Sequence, residues 1–278
     1  MGHASDDGRA IGLAAARLTE AQQQGRPVAP VRDLLGTQDI EAAYAVQREL
    51  TRRRLADGAL VVGRKIGLTA PAVQAQLGVD QPDFGVLFAD MDVSALAEVP
   101  SYRLLQPKAE AEIAFVLGQD LADGDLDLPQ VRAAVDHAVA ALEIVDSRIA
   151  DWDITITDTV ADNASSGLFA LAEHCLTLDE FEPRDTPMRL YADGVLVSEG
   201  IGAACLGDPL NALVWLARTA RAYGEPLRAG QVVLSGALGP MVPAPPGTTI
   251  RAEIGPLGEV TAAFSEKAAF SDSEKSDA

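Results

Sequence analysis

Cysteine is nearly absent from this chain, with only Cys175 and Cys205 in 278 residues. Two thiols supply neither a disulfide framework nor a set of zinc ligands, so small stapled scaffolds and zinc modules are excluded. No second histidine stands at ligand spacing from His137, and His174 and Cys175, being adjacent, point to opposite faces of a strand. Positive charge is in deficit: 22 Lys and Arg against 41 Asp and Glu leave a net charge of −19. Nucleic acid and anionic membrane surfaces repel such a chain and are excluded as partners. No apolar run reaches the roughly 18 to 20 residues of a membrane span. No basic stretch leading into an apolar one opens the sequence, and Asp6 stands where a myristoylation signal places Ser or Thr. A cytoplasmic location is the resulting expectation. Internal repeats and heptads are missing, and the glycines of GQVVLSGALG lack the strand–GxGxxG–helix order of a dinucleotide site. The acidic stretch DLADGDLDLP lacks the offsets and the closing Glu of an EF-hand loop, and reads as solvated.

What is present is a hydrophobic content of 48% with 23% charged residues, the balance of a globular protein. The organising stretch is Pro107 to Leu117, PKAEAEIAFVL. Residues two apart on a strand share a face, so Glu110 and Glu112 place two carboxylates at the edge of a core. Unpaired buried carboxylates are costly, so they require Lys or Arg partners or a hard divalent cation. Glu143, in the β-like run ALEIVDSR, offers a third oxygen ligand, and one Mg²⁺ or Mn²⁺ held by Glu110, Glu112 and Glu143 is the working hypothesis.

A second informative stretch runs from Val61 to Asp92. A strand ends in Lys65, Gly67 frees the backbone, and Thr69 with Pro71 starts a short helix that Gly78 stops. Pattern alone leaves Lys65 open between a surface lysine and a site residue. The loop GVDQPDFG has the shape of a site lid, and Asp80 and Asp83 are either turn acids or site acids.

The remaining elements follow from periodicity and punctuation. An Ala-rich helix, capped by Asp6 or Asp7 and stopped by Gly25, precedes a second helix over 39–55. A short helix covers 129–137. The stretch 154–167 leaves β-like alternation for a polar loop at Asp162 to Gly167, which is either an anion-holding loop or a structural turn. A hairpin over 188–199 turns at Asp193-Gly194, a helix begins at Asp208-Pro209 and stops at Gly224, and a last hairpin surrounds 255–258. The expected fold is α+β, N-terminal helices first, with a mixed, strongly curved sheet. We read residues 1–264 as one catalytic domain, helical to about 58 and sheet-based from about 59, and 265–278 as a disordered polar tail.

At GRKIGLT, GVDQPDFG, PKAEAEIAFVL and ALEIVDSR the sequence resembles the 2-keto-4-pentenoate hydratases (2-hydroxypenta-2,4-dienoate hydratases) of the fumarylacetoacetate hydrolase superfamily, over roughly 40–264. That resemblance implies a β-roll-like mixed sheet with flanking helices around a divalent-metal site. It carries metal ligation onto Glu110, Glu112 and Glu143 and proton handling onto Lys65. It also implies homo-oligomers that associate with a 4-oxalocrotonate decarboxylase homologue. Those sibling decarboxylases share the metal acids and the lysine, and Asp83 tilts the reading toward hydration.

The implied reaction is hydration of 2-hydroxypenta-2,4-dienoate to 4-hydroxy-2-oxopentanoate, a step in meta-cleavage degradation of aromatic compounds. The substrate carboxylate and enol oxygen chelate a hard cation, which acts as a Lewis acid. Lys65 is the candidate proton shuttle, with a pKa lowered by burial beside a cation. Asp83, with Asp80 behind it, is the candidate for orienting or deprotonating the attacking water. Leu68, Ser165 and Ser235 are candidate substrate contacts, Ser166 a further one, and Arg64 and Lys108 are assigned to ion pairs. Decarboxylation of 4-oxalocrotonate and C–C hydrolysis of a diketo acid are alternatives on the same scaffold, and a non-catalytic subunit is the alternative outside it.

Overall fold

The computed structural model describes residues 3–70, 74, 79 and 81–266, with side chains from Gly8 onward. The loop acid Asp80, most of the short helix expected after Thr69, the side chains of Asp6 and Asp7, and the tail from 267 lie outside the described residues.

Three helices open the chain: α1 (His3–Gln24), α2 (Arg32–Leu35) and α3 (Ile40–Ala56). Gly25 takes the left-handed φ of 61° that stops α1, and Asp39 caps α3 by accepting from Ala42 N–H. Beyond them the strands form two sheets rather than one. The larger contains β1 (Val61–Gly67), β2 (Asp83–Phe88), β3 (Pro107–Leu117), β4 (Val135–Asp146), β5 (Ser166–Leu176) and the short β8 (Val232–Leu234), in the order β2-β1-β8-β3-β4-β5, with β9 (Val242–Pro243) paired to β3. It is mixed, since β1 and β8 run parallel while its other pairs are antiparallel. The smaller sheet is antiparallel, in the order β11 (Glu259–Ala263), β10 (Thr249–Ile254), β6 (Pro187–Ala192) and β7 (Val195–Ile201).

Three local expectations change. Residues 129–137 divide between a helix, α4 (Leu128–Ala134), and the start of β4, because Val135 pairs with Leu117. The apparent strand at 154 onward is a helix, α5 (Ile156–Ala161): Asp158 accepts from Thr155 N–H and Oγ–H, closing a capping box. GVDQPDFG is not loop throughout, for β2 begins at Asp83 and its six residues are all buried. The turn at Asp193-Gly194, with φ of 50° and 79°, and α6 (Pro209–Ala222), capped by Asp208, stand where pattern placed them.

The core sits on β3 and β4, which have neighbours on both edges. Alanines at 109, 111, 114, 138, 140 and 141 are buried there with Ile113, Phe115, Leu142 and Ile144. Such small side chains let other elements approach both faces closely, so Glu110 and Glu112 point into packed protein rather than water. Among the described residues no helix is long and apolar enough to cross a membrane.

Candidate metal and acid–base site

Register brings the acids together. Glu110 on β3 lies directly opposite Glu143 on β4, and Glu112 follows on the same face. One carboxylate oxygen from each of Glu110, Glu112 and Glu143 lies within 4.8 Å of the other two. Glu112 and Glu143 are fully buried, and Glu110 is half-buried.

Lys65 enters from β1, on the far side of β8, and its Nζ lies 3.0 Å from Glu143 Oε1 with both side chains buried. Asp83 pairs across β1–β2 with Gly67. A Cβ on Gly67 would lie 2.2 Å from Asp83 Oδ1 and 3.4 Å from Lys65 Nζ, so the absent side chain is what lets the two charged groups face one space. Asp83 Oδ2 accepts from Thr159 Oγ1 at the long distance of 3.5 Å, and Thr159 Oγ1 lies 3.2 Å from Ser165 Oγ.

Hydrogen bonding leaves part of this cluster unsatisfied. Gly236 N–H donates to Glu112 Oε2 at 2.8 Å, but Glu112 Oε1, Glu143 Oε2 and Asp83 Oδ1 are buried without a hydrogen-bond partner. Orphaned carboxylate oxygens aimed into one space are uncommon in folded proteins. The donor set, three hard oxygens within one coordination sphere, fits a divalent cation.

The electrostatics agree. Burial, and then the charge of Glu143, push Glu110 up to about 7 against the pull of Lys65. Burial raises Glu112 well above the carboxylate range, with Glu143 and Glu110 adding to it. Glu143 and Asp83 are also raised by burial, with Lys65 opposing in each case. Lys65 differs from expectation. Burial acts to lower its pKa, but Glu143, Asp83, Glu110 and Glu112 outweigh that and hold it raised. The expectation of a lowered value presupposed a cation sharing those carboxylates.

The weaker candidates divide. Leu68 adopts a left-handed φ of 56° directly after Gly67, and its carbonyl accepts from Gln74 Nε2. Ser165 joins the group through Thr159. Ser235 is fully buried, and its hydroxyl reaches only its neighbour Gly236 carbonyl at 3.3 Å; the contribution of that loop is the Gly236 amide. Arg64 pairs with Glu225 at 2.7 Å as expected. Lys108 instead stands 4.2 Å above the Trp152 ring and joins no ion pair among the described residues. Thr159 and the Gly236 amide escaped sequence reasoning. The Thr155–Asp158 capping box, readable as T-x-x-D, was the signal that places Thr159 on a helix. A cleft of about 450 Å³ between α1 and α3 contains none of the acid cluster and is no part of this site.

Comparison with known proteins gives concordant results. The family model described as fumarylacetoacetate (FAA) hydrolase C-terminal matches residues 61–265. A protein named TodF product hydratase, from Pseudomonas putida, is 54% identical over 92% of this chain and 96% of its own. A 2-keto-4-pentenoate hydratase from Burkholderia vietnamiensis is 52% identical over 94% of this chain and 100% of its own. Among solved structures, 4-oxalocrotonate decarboxylase from Pseudomonas putida G7, complexed with magnesium and adipate, superposes with a TM-score of 0.87 at 33% identity, covering 92% of this chain and 97% of that one.

Proposed function

The chain belongs to the fumarylacetoacetate hydrolase family, and from that premise we propose that it is a hydro-lyase that adds water to 2-hydroxypenta-2,4-dienoate, giving 4-hydroxy-2-oxopentanoate. The observation that carries this reading is the placement of Lys65 and Asp83 on two sides of Gly67 beside the three glutamates. Hydratase relatives above half identity over nearly their whole length support it.

Glu110, Glu112 and Glu143 would hold the divalent cation, Mg²⁺ or Mn²⁺, for which the magnesium of the decarboxylase structure is support. When bound, that ion supplies Lewis acidity that draws electrons from the 2-oxo end of the conjugated chain. Lys65 moves the proton between the enol oxygen and the terminal carbon. A cation held there would offset the facing carboxylates that hold the Lys65 pKa up. Asp83, which has an unpartnered oxygen, orients and deprotonates the water that adds at C4. Thr159 steadies its other oxygen, and Leu68, Ser165 and the Ser235–Gly236 turn shape the substrate wall. Asp80, which lies outside the described residues, stays in this reading as the second candidate for handling that water. The kinship further supports a roll-like curvature for the mixed sheet, one catalytic domain over 1–264, homo-oligomers, and association with a decarboxylase homologue.

The test is the ultraviolet absorbance of freshly generated dienol with added Mg²⁺ or Mn²⁺, against excess EDTA. Loss of the dienol band only with metal, with 4-hydroxy-2-oxopentanoate as product, is expected. Likeness to the decarboxylase favours a second reading, decarboxylation of 4-oxalocrotonate, and carbon dioxide release without hydration would select it.

A further inference from the structure

The acid cluster is closed at one end and open at the other. Lys108, Glu110 and Glu112 are spaced two apart on β3 and share a face. Exposure falls along that row, from half-buried Lys108 and Glu110 to Glu112 at 0%, where the Gly236 amide closes the end. The mouth is therefore on the Lys108 side.

What stands at that mouth is a cation that joins no ion pair among the described residues and feels the charge of Glu110 beside it. Arg64 is engaged by Glu225 and Lys65 by Glu143, whereas the Lys108 ammonium rests over the indole of Trp152 at 4.2 Å. A ring face holds an ammonium in place without neutralising it. The indole is set there by an unusual turn. Asp151 and Trp152 have left-handed φ values of 59° and 56°, a conformation that persists only where neighbours enforce it. Gln106 does so, accepting from Asp151 N–H at its side-chain oxygen (2.9 Å) and from Trp152 Nε1–H at its carbonyl (3.1 Å). Its amide in turn donates to the carbonyls of Ser147 and Ile149.

We propose that Lys108, held over Trp152, is the cation that receives the carboxylate of the substrate at the mouth of the acid cluster. The inference rests on the hydratase reading, in which an anion must enter a site lined by glutamates in a protein of charge −19. A mouth cation offsets that field at short range and pairs with the bound carboxylate. Its loss weakens capture of the anion and leaves the acid–base groups in place.

The test compares wild type, Lys108→Met and Lys108→Arg in two assays: steady-state hydration of 2-hydroxypenta-2,4-dienoate, and calorimetric binding of oxalate to the Mn²⁺-loaded protein. Lys108→Met is expected to raise KM and weaken oxalate about 10-fold, with kcat within about twofold and a flatter dependence on ionic strength. Lys108→Arg, which keeps charge and ring contact, restores both. Unchanged KM and oxalate affinity in Lys108→Met, a fall in kcat alone, or an arginine variant as impaired as the methionine one overturns the assignment. So does wild type that does not bind oxalate. Lys108-dependent oxalate binding without consumption of the dienoate retains Lys108 as the anion receptor and removes the hydratase reading instead.

Discussion

Two clusters of buried charge, linked in the fold through Ser165 and Thr159, are built on opposite principles. In one, Arg148 and Asp162 satisfy each other and their surroundings. Arg148 N–H and Nε–H donate to the Asp162 carboxylate, Nη1 to the carbonyls of Asp146 and Ser166, and Nη2 to the Asp162 carbonyl. In the other, Lys65, Asp83, Glu112 and Glu143 are equally buried, yet three carboxylate oxygens have no partner. A satisfied buried pair shapes the chain around it, whereas buried carboxylate oxygens without partners are the kind of group a ligand compensates. The two are connected. Arg148 and Asp162 pin the turn in which Asn163, Ala164 and Ser165 all have φ near 50–55°, and that turn delivers Ser165 to Thr159 and so to Asp83.

The sharpest way to break this contrast is to remove one charge from each cluster. Lys65→Met is expected to lower kcat by about 10³-fold, within the range of a lost general acid–base group, while urea unfolding shows a folded protein. Asp83→Asn should abolish hydration and spare ketonisation of the dienol, read by separating product formation from loss of the dienol band; unaltered hydration would remove Asp83 from the water-activating role. Arg148→Met should act first on stability. Leaving Asp162 buried and unpaired costs about 3–5 kcal/mol of stability, measured as a fall in the urea midpoint. If Glu112→Gln destabilises the metal-free protein as much, the two clusters do not differ in kind.

Cation binding sharpens the comparison at a smaller scale. An ion that binds only the folded protein stabilises it by about 2.7 kcal/mol at a concentration 100 times its Kd. Mn²⁺ is therefore expected to raise the unfolding temperature of wild type and of Lys108→Met, and to leave that of Glu112→Gln unmoved. An equal rise in Glu112→Gln would place the ion elsewhere.

The contrast also explains what the sequence discloses and what it hides. Glu110, Glu112 and Glu143 are legible because a two-residue spacing within an apolar strand fixes a shared face, and an antiparallel partner of the same apolar character supplies the third acid. Lys65 and Asp83 are ambiguous by pattern and are chosen through family likeness, since their meeting depends on Gly67, and their approach to the glutamates on a strand, β8, that comes far along the chain and lies between β1 and β3. The Gly236 amide and Trp152 are invisible beforehand. One is a backbone group, and the other reaches Lys108 only because two residues take left-handed φ. The stretch at 154–161 misleads because its alternation outweighs a capping box four residues long, and β2 because Pro82 and two glycines suggest loop around an apolar run.

The smallest expected effect is on pH dependence, to which both clusters contribute, since burial also pushes Asp162 up to about 6 against the pull of Arg148; only the share that belongs to the glutamates should respond to Glu110→Gln and to Mn²⁺. In metal-free protein, burial and the Glu143 charge hold Glu110 up to about 7, above the 4.5 of the unfolded chain. Its contribution to stability is then fully present below about 4.5 and is lost as pH rises through about 7, because the unfolded chain ionises first. EDTA-treated wild type should therefore lose stability between about pH 5 and 7.5, Glu110→Gln should flatten that slope, and saturating Mn²⁺, which favours the ionised carboxylates, should reverse it. Denaturant midpoints across that range decide the matter. A slope that survives in Glu110→Gln and ignores Mn²⁺ would assign the pH dependence to acids outside the cluster, such as Asp162, and would count against Glu110 as a ligand of the proposed cation.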